Sequence, residues 1–175
     1  SLSYVRGKEK ALSEAGMYER DHRLPESVSQ EHLLSLIGEL NQDPRVHGIL
    51  VQLPLPAHID TERVVAAIDP DKDVDGFHPV NLGRMVRGLE CYYPCTPHGV
   101  VKILERAGIA VAGREVVILG RSNLVGRPLS IMLSQKQPEG NATVTVCHSR
   151  TRDLTYHTRR AEILIVAAGS PEMIT

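Results

Sequence analysis

The feature that most constrains the fold is an apolar run that ends in one glycine and leads to a second. The run reads Val116-Val-Ile-Leu-Gly120-Arg-Ser-Asn-Leu-Val-Gly126-Arg-Pro128. Four consecutive apolar residues without polar alternation are typical of a strand covered on both faces, as in a parallel sheet. Gly120 suits the tight turn after such a strand, and Gly126 suits close packing of the next helix. The stretch therefore predicts the strand, turn and helix of an α/β fold.

The same alternation of strands and helices continues along the chain. Apolar residues at spacings of three and four predict helices, whereas short apolar runs bounded by Gly or Pro predict strands. The predicted helices cover residues 3–15, 27–40, 61–68, 96–108, 125–133 and 153–159, and the predicted strands cover residues 17–24, 48–53, 115–119, 143–147 and 162–167.

Capping residues set the predicted helix ends. Ser27 is the predicted N-cap of the second helix, and Thr96 with Pro97 after it is predicted to start a later one. Gly16 and Gly108 are predicted to close helices in the left-handed conformation.

Residues 69–87 form a polar, glycine-bearing stretch that is longer than a simple connection between two elements needs to be, so we predict a functional loop there.

The boundary between two domains is placed at Thr96-Pro97. The predicted domains are residues 1–96 and 97–175.

Composition excludes several classes of partner. The 175 residues are 42% apolar, which is ordinary for a soluble globular protein. The net charge of -1 provides no long-range attraction to nucleic acid or to an anionic membrane. No apolar run approaches the roughly 20 residues that cross a bilayer, and the first residues lack the apolar core of a signal peptide. We expect a soluble, cytoplasmic protein.

The cysteines Cys91, Cys95 and Cys147 are odd in number and lie in apolar or aromatic surroundings. The C-x3-C pair leaves metal binding open as an alternative. Buried, reduced thiols are the preferred interpretation, so no metal is predicted.

The glycine turn is a candidate cofactor site. Backbone N–H groups and the positive end of the following helix can hold a pyrophosphate. Ser122 takes the middle position, where the usual G-x-G-x-x-G pattern has glycine. Spacing alone therefore leaves a plain α/β turn as an alternative.

The end of the next strand bears on the choice of cofactor. Sites that prefer NAD usually carry Asp or Glu there, but this chain has Cys147-His148-Ser149-Arg150. Ser149 and Arg150, with Arg121 of the glycine turn, offer donors and positive charge for a 2′-phosphate. NADP is therefore favoured over NAD; the alternative is that these arginines are solvated surface residues.

Candidate catalytic residues occur on the first helix. Tyr4 and Lys8 are four apart and share a helix face. A lysine in an apolar or cationic environment has a lowered pKa and can act as an acid/base near neutral pH. The alternative is an ordinary surface lysine.

Further polar groups stand in unexpected places. Gln52 lies within the end of the apolar run 48–53, at the strand end where α/β sheets bind ligands, and a buried Gln there needs hydrogen-bond partners. Asp73 and Asp75 lie in Asp-Lys-Asp-Val-Asp-Gly76. Asp75 could pair with an amino-bearing heterocycle, whereas turn chemistry or a fragment of a calcium loop are alternatives.

Six motifs follow one another along almost the whole chain: Ser1-x-x-Tyr4-x-x-x-Lys8, Val46-His-Gly-Ile-Leu-Val-Gln-Leu-Pro-Leu55, Asp71-Lys-Asp-Val-Asp-Gly-Phe77, Pro94-Cys-Thr-Pro-His-Gly99, Gly120-Arg-Ser-x-x-Val-Gly-x-Pro128 and Thr143-Val-Thr-Val-Cys-His-Ser149. Together they resemble the bifunctional methylenetetrahydrofolate dehydrogenase/methenyltetrahydrofolate cyclohydrolase family.

The resemblance implies a two-domain α/β enzyme with mainly parallel sheets, in which a catalytic domain precedes a Rossmann-like NADP-binding domain. Such enzymes oxidise 5,10-methylenetetrahydrofolate to the methenyl form and hydrolyse that to 10-formyltetrahydrofolate, in the one-carbon metabolism that supplies purine biosynthesis. The family usually forms homodimers through the cofactor domains.

The resemblance also implies roles for single residues. Lys8 would be the general acid/base of hydrolysis, with Gln52 hydrogen-bonded to it, and Tyr4 would orient the folate. Asp75 would hold the amino-pyrimidine edge of the pterin. The implied cofactor contacts are Gly120, Arg121, Ser122, Gly126, His148, Ser149 and Arg150.

The chain also departs from the family pattern. It lacks a strand before the first helix, later strands, a Gly-Gly-Val-Gly-Pro loop and a returning helix, so we expect both ends to be truncated. Three other interpretations stay open: a monofunctional dehydrogenase, a non-catalytic binding module, and an unrelated Rossmann dehydrogenase. Tyr4 and Lys8 argue against the first, and Gln52 and Asp75 have no role in the last.

Overall fold

The computed structural model describes the backbone of residues 2–169 and the side chains of residues 7–169. Within this described range five helices come first, and strands alternate with helices from Glu115 onward, as in an α/β protein. Their bounds are α1 (Leu2–Glu14), α2 (Gln30–Gln42), α3 (Thr61–Ala67), α4 (Pro79–Val86), α5 (Cys95–Arg106), β1 (Glu115–Leu119), α6 (Gly126–Ser134), β2 (Thr143–Cys147), α7 (Leu154–Arg159) and β3 (Ile163–Val166).

The second half of the chain contains a parallel sheet with strand order β2-β1-β3. The central strand β1 is covered on both faces. Val116 and Ile118 pack with α6 on one face, while Val117 and Leu119 pack with Cys147 on the other. This double burial confirms the interpretation of the apolar run, and the two-domain α/β class with a parallel sheet is confirmed as well.

The first half of the chain is mainly helical. Helices α2 and α3 pack together around Ile37 and Val64, and Ile49 completes this second core. The predicted strand 48–53 is wrong, because its only pairing among the described residues is one parallel bridge between Ile49 and Asp73. A ladder needs a neighbour along its length, and the described residues provide none there.

The predicted strand 17–24 is also wrong, since no strand forms there. Met17 and Tyr18 are largely exposed, so no packing against a sheet face stabilises an extended conformation.

Helix α4 lies inside the stretch that was predicted to be a loop. His78 is its N-cap, with Nδ1 accepting from the N–H of Val80 at 3.1 Å, and Pro79 takes the first position. Met85 of α4 is fully buried in the core of the second half, and its carbonyl accepts a hydrogen bond from the Gln135 side chain. Helix α4 therefore packs one half of the chain against the other, and the boundary at residues 96/97 stays a prediction.

Two predicted N-caps are wrong. Ser29, not Ser27, caps α2, because its hydroxyl accepts from the N–H of His32 at 3.2 Å. Helix α5 begins at Cys95 after Pro94, so Thr96 lies inside the helix.

The two glycine closures are confirmed. Gly16 and Gly108 have φ of 69° and 68°, and each follows the last turn of a helix.

The three thiols are free, but only Cys147 is buried; Cys91 is half-buried and Cys95 is exposed, which corrects the expectation of burial. Among the side chains that the structure describes, no cluster of three His, Cys, Asp or Glu could hold a metal ion. No helix in the described range is both long and apolar enough to cross a membrane.

Candidate active site

Helix α1 and the segment after Ile49 bring Lys8 and Gln52 together. Lys8 Nζ donates to Gln52 Oε1 at 3.1 Å. The other amide atom of Gln52, Nε2, donates to the carbonyl of Leu53 at 3.1 Å, and the Leu53–Pro54 peptide is cis. Gln52 is exposed rather than buried. Its orientation is nevertheless fixed, because its amide oxygen accepts from the Lys8 amine and its amide nitrogen donates to the Leu53 carbonyl. Tyr4 lies in α1, but its side chain is outside the described residues.

Asp75 reaches the same region on a tight turn. Gly76 has φ of 67°, and a Cβ there would lie 2.5 Å from the Tyr92 carbonyl oxygen. Only glycine combines this backbone conformation with such a close approach. The turn that carries Asp75 is therefore packed against the segment that leads into α5.

Asp73 holds this turn from inside. Its side chain is 1% exposed and accepts from the N–H groups of Phe77 and His78 at 3.3 and 2.8 Å, and from Asn81 Nδ2 at 2.9 Å. A buried carboxylate at the start of α4 also meets the positive end of the helix. Asp73 thus links the Asp75 turn to α4.

Charges at the site influence one another. Burial raises the pKa of Asp75, the positive charge of Lys8 opposes that rise, and Asp73 adds to it. Burial and the charge of Asp75 raise the pKa of the Cys95 thiol, while Lys8 lowers it. Asp75, Lys8 and Cys95 therefore occupy one electrostatic neighbourhood.

Side chains from both halves of the chain line a cavity of about 200 Å³. Lys8, Gln52 and Asp75 come from the first half, and Leu124 and Val125 come from the glycine turn. The remaining lining residues are Leu50, Val51, Leu53, Phe77 and Thr96.

A larger groove of about 560 Å³ lies elsewhere, and Glu26 is its only charged lining residue. It holds none of the predicted acid/base groups. The smaller cavity is therefore the candidate active site.

The glycine turn between β1 and α6 is closely packed. Gly120 has φ of 127°, and a Cβ on it would lie 2.4 Å from the carbonyl oxygen of Ala167, at the end of β3. A Cβ on Gly126 would lie 2.1 Å from the carbonyl oxygen of Gly120. Both glycines have the tight-turn and close-packing geometry that their spacing predicts.

The second predicted cofactor turn lies beside the first. Gly120 N–H donates to the carbonyl of Cys147 at 2.8 Å, which joins the end of β1 to the end of β2. The side chains that follow these strand ends, Arg121, Ser122, Ser149 and Arg150, are exposed, and His148 is half-buried. Ser122 Oγ accepts from the N–H of Val125 at 3.1 Å, as a turn-closing residue does.

Sequence reasoning missed several residues of this region. Phe77, Thr96, Leu124 and Val125 line the cavity but were not predicted as site residues; their positions within the family motifs and the glycine turn were the usable signal. The anchoring role of Asp73 had a usable signal, because an aspartate shortly before His78-Pro79 can accept from the first turn of a helix.

Two models of one protein family match the chain. Residues 1–75 match the model of the tetrahydrofolate dehydrogenase/cyclohydrolase catalytic domain, and residues 94–175 match that of the NAD(P)-binding domain of the same family.

Among relatives, the bifunctional protein FolD of Moorella thermoacetica (strain ATCC 39073 / JCM 9320) is 56% identical over 175 residues, which is 100% of this chain and 61% of that protein. The chain thus spans about three fifths of the relative's length.

Two solved structures are similar. The bifunctional FolD methylenetetrahydrofolate dehydrogenase/cyclohydrolase from Campylobacter jejuni has a TM-score of 0.92 and 48% identity, over 99% of this chain and 60% of that one. The Trypanosoma brucei dehydrogenase-cyclohydrolase, complexed with NADP and an inhibitor, has a TM-score of 0.88 and 38% identity, over 97% of this chain and 57% of that one.

Proposed function

The chain belongs to the tetrahydrofolate dehydrogenase/cyclohydrolase family, and we propose that its protein carries out both reactions of that family. The first is NADP-dependent oxidation of 5,10-methylenetetrahydrofolate to the methenyl form. The second is hydrolysis of the methenyl form to 10-formyltetrahydrofolate. Family membership excludes an unrelated Rossmann dehydrogenase.

One observation carries the proposal: the acid/base residues and the glycine turn line the same cavity. Lys8, Gln52 and Asp75 line one cavity together with Leu124 and Val125 of the glycine turn. Hydride transfer requires that substrate and cofactor lie together in a defined orientation. A cavity shared between the two halves provides that arrangement, whereas two separate sites would not.

Lys8 is the proposed acid/base of hydrolysis. In its unprotonated form, the amine accepts a proton from the water that attacks the methenyl carbon. The C–N5 bond then breaks, N5 takes a proton from the ammonium, and the water oxygen becomes the formyl oxygen while one proton is released. Gln52 Oε1, 3.1 Å from the amine, orients Lys8 for both transfers.

Asp75 is the proposed pterin contact. A carboxylate accepts hydrogen bonds from an amino-pyrimidine edge in a paired geometry, which places the heterocycle next to Lys8. Tyr4 shares the helix face of Lys8 and is proposed to orient the folate ring system.

The residues around the two turns fit an NADP molecule. Gly120 and Gly126 allow the turn to fold tightly, because any side chain there would collide with backbone, and the start of α6 offers N–H groups that can bind a pyrophosphate. Arg121, Ser122, Ser149 and Arg150 are exposed beside them, and no carboxylate follows β2 to repel a 2′-phosphate. His148, which the resemblance also implied as a contact, is half-buried in the second turn beside these residues. When bound, NADP supplies the hydride acceptor of the oxidation.

The T. brucei relative, which is complexed with NADP, supports the choice of NADP as cofactor.

We also propose a cytoplasmic homodimer that associates through the cofactor domains, with the domain boundary at residues 96/97. Light scattering on the intact protein tests the dimer, because a monomeric mass at micromolar concentration contradicts it.

The test of function is turnover measured by absorbance. The intact protein is given 5,10-methylenetetrahydrofolate with NADP⁺ or with NAD⁺, and separately the methenyl form alone. We expect methenyl product with NADP⁺ preferred, and loss of methenyl absorbance in the second assay. A folded protein that gives neither reaction contradicts the proposal. If oxidation occurs without hydrolysis, the protein is a monofunctional dehydrogenase.

A further inference from the structure

The turn after β2 presents two side chains outward. The N–H of Thr151 donates to the carbonyl of His148 at 2.8 Å, which closes a four-residue turn. Ser149 and Arg150 are the two central residues and are exposed. The direction in which they project depends on how firmly the ends of the turn are held.

The Thr151 side chain holds one end. Its Oγ1 accepts from the N–H of His148 at 2.8 Å, so His148 and Thr151 are joined by two hydrogen bonds. The hydroxyl also hydrogen-bonds the buried thiol of Cys147, where it lowers the pKa that burial raises. Thr151 is thus fixed between the last residue of β2 and the first residue of the turn.

The imidazole of His148 holds the middle of the turn. Its Nδ1 accepts from the N–H of Arg150 at 3.1 Å, so the backbone at the arginine is tied to the residue two positions earlier. The base of the turn is joined to the glycine turn by the bond from Gly120 N–H to the Cys147 carbonyl. Ser149 and Arg150 are consequently presented on a backbone with little freedom, in a turn joined to the one that carries Arg121.

From these contacts we propose that Thr151 and His148 are positioning residues for cofactor specificity. They fix the turn so that Ser149 and Arg150 meet the 2′-phosphate of NADP, and they contribute to the preference over NAD without touching the phosphate. The inference rests on the proposed function, because it requires that this site binds NADP.

The decisive variant is Thr151→Val, which keeps the β-branched shape and removes the hydroxyl. Affinities for NADP⁺ and NAD⁺ are measured by calorimetry on the intact protein without folate. Losing the hydroxyl's bonds to the His148 N–H and to the Cys147 thiol, with the N–H donor left unpaired, should weaken NADP⁺ binding about tenfold and change NAD⁺ binding by less than about twofold. Thr151→Ser is the matched control, because it keeps the hydroxyl and should retain the wild-type affinity ratio.

His148 provides an independent test. His148→Leu removes the acceptor for the Arg150 N–H and should reduce the NADP⁺ to NAD⁺ affinity ratio, whereas His148→Asn retains a short side-chain acceptor and should restore it. Unchanged ratios in both Thr151→Val and His148→Leu overturn the proposal, and so does an equal loss of affinity for the two cofactors, which indicates a purely structural role. If the wild-type protein shows no preference for NADP⁺, the cofactor assignment of the proposed function fails instead.

Discussion

Two matched glycine substitutions distinguish a glycine required by backbone contact from one that is merely tolerated. Gly126 lies at the start of α6, and a Cβ there would lie 2.1 Å from the Gly120 carbonyl oxygen and 2.6 Å from its carbonyl carbon. Gly83 lies within α4, and a Cβ there would have no other heavy atom within 4 Å. We therefore expect alanine at the two positions to change stability in opposite directions.

The magnitude for Gly126→Ala follows from the overlap. An ordinary carbon–oxygen contact is about 3.3 Å, so the turn would have to open by about 1 Å. Gly120 cannot move freely, because its N–H is bonded to Cys147 and Ala167 lies against its α-carbon. Overpacking of this kind costs about 1–3 kcal/mol. At Gly83 the same change should stabilise the protein by about 0.5–1 kcal/mol, because alanine is the better helix former.

The assay is urea unfolding of the intact protein followed by circular dichroism, with NADP⁺ affinity measured on the same samples. Gly126→Ala should unfold at lower urea concentration and bind NADP⁺ more weakly, while Gly83→Ala should unfold at higher concentration and bind normally. A Gly126→Ala variant as stable as the wild type would refute the argument that this packing requires glycine.

Three further predictions concern single charged side chains. Lys8→Gln should abolish hydrolysis of the methenyl form yet leave NADP⁺ binding by calorimetry intact; retained hydrolysis would remove Lys8 from its proposed role. Asp75→Asn should weaken folate binding and raise stability at pH 7, because burial raises the pKa of the folded carboxyl and disfavours its charge. That stability difference should vanish as the pH falls below about 3.8, where folded and unfolded states are both protonated. Lys72→Met should lower the free energy of unfolding by about 2 kcal/mol in urea. The lysine Nζ donates to the carbonyls of Leu40, Asn41 and Asp43 at 3.1, 2.7 and 2.9 Å, and methionine cannot make these bonds. If the variant is as stable as the wild type, the three bonds make no net contribution.

The elements that sequence patterns predict well depend on neighbours a few residues away. The left-handed closures at Gly16 and Gly108 are local, because only the preceding helical turn and the glycine backbone take part. The strand at β1 was equally predictable, since a continuous apolar run leaves it few alternatives to burial on both faces.

The errors share a different cause. Ser27 and Ser29 are both acceptable caps, and the choice depends on how the chain enters α2 after Pro25. Residues 48–53 have strand composition, but a strand exists only where another segment pairs with it, and Ile49 finds one bridge to Asp73. Helix α4 was not predicted because it is short and lies within a polar stretch of sequence. Its buried apolar residue, Met85, packs in the core of the other half of the chain.

The sequence by itself determined the α/β alternation of the second half, the glycine turn, the absence of a carboxylate after β2 and the family resemblance. Tertiary structure alone decided that Lys8 meets Gln52 at 3.1 Å, that Asp75 joins their cavity, and that Leu124 and Val125 complete it. The physical reason is the range of the interactions. Capping and periodicity act within one or two helical turns, whereas the cavity depends on contacts between residues more than forty positions apart, such as Lys8 and Gln52, which only the packed chain brings together.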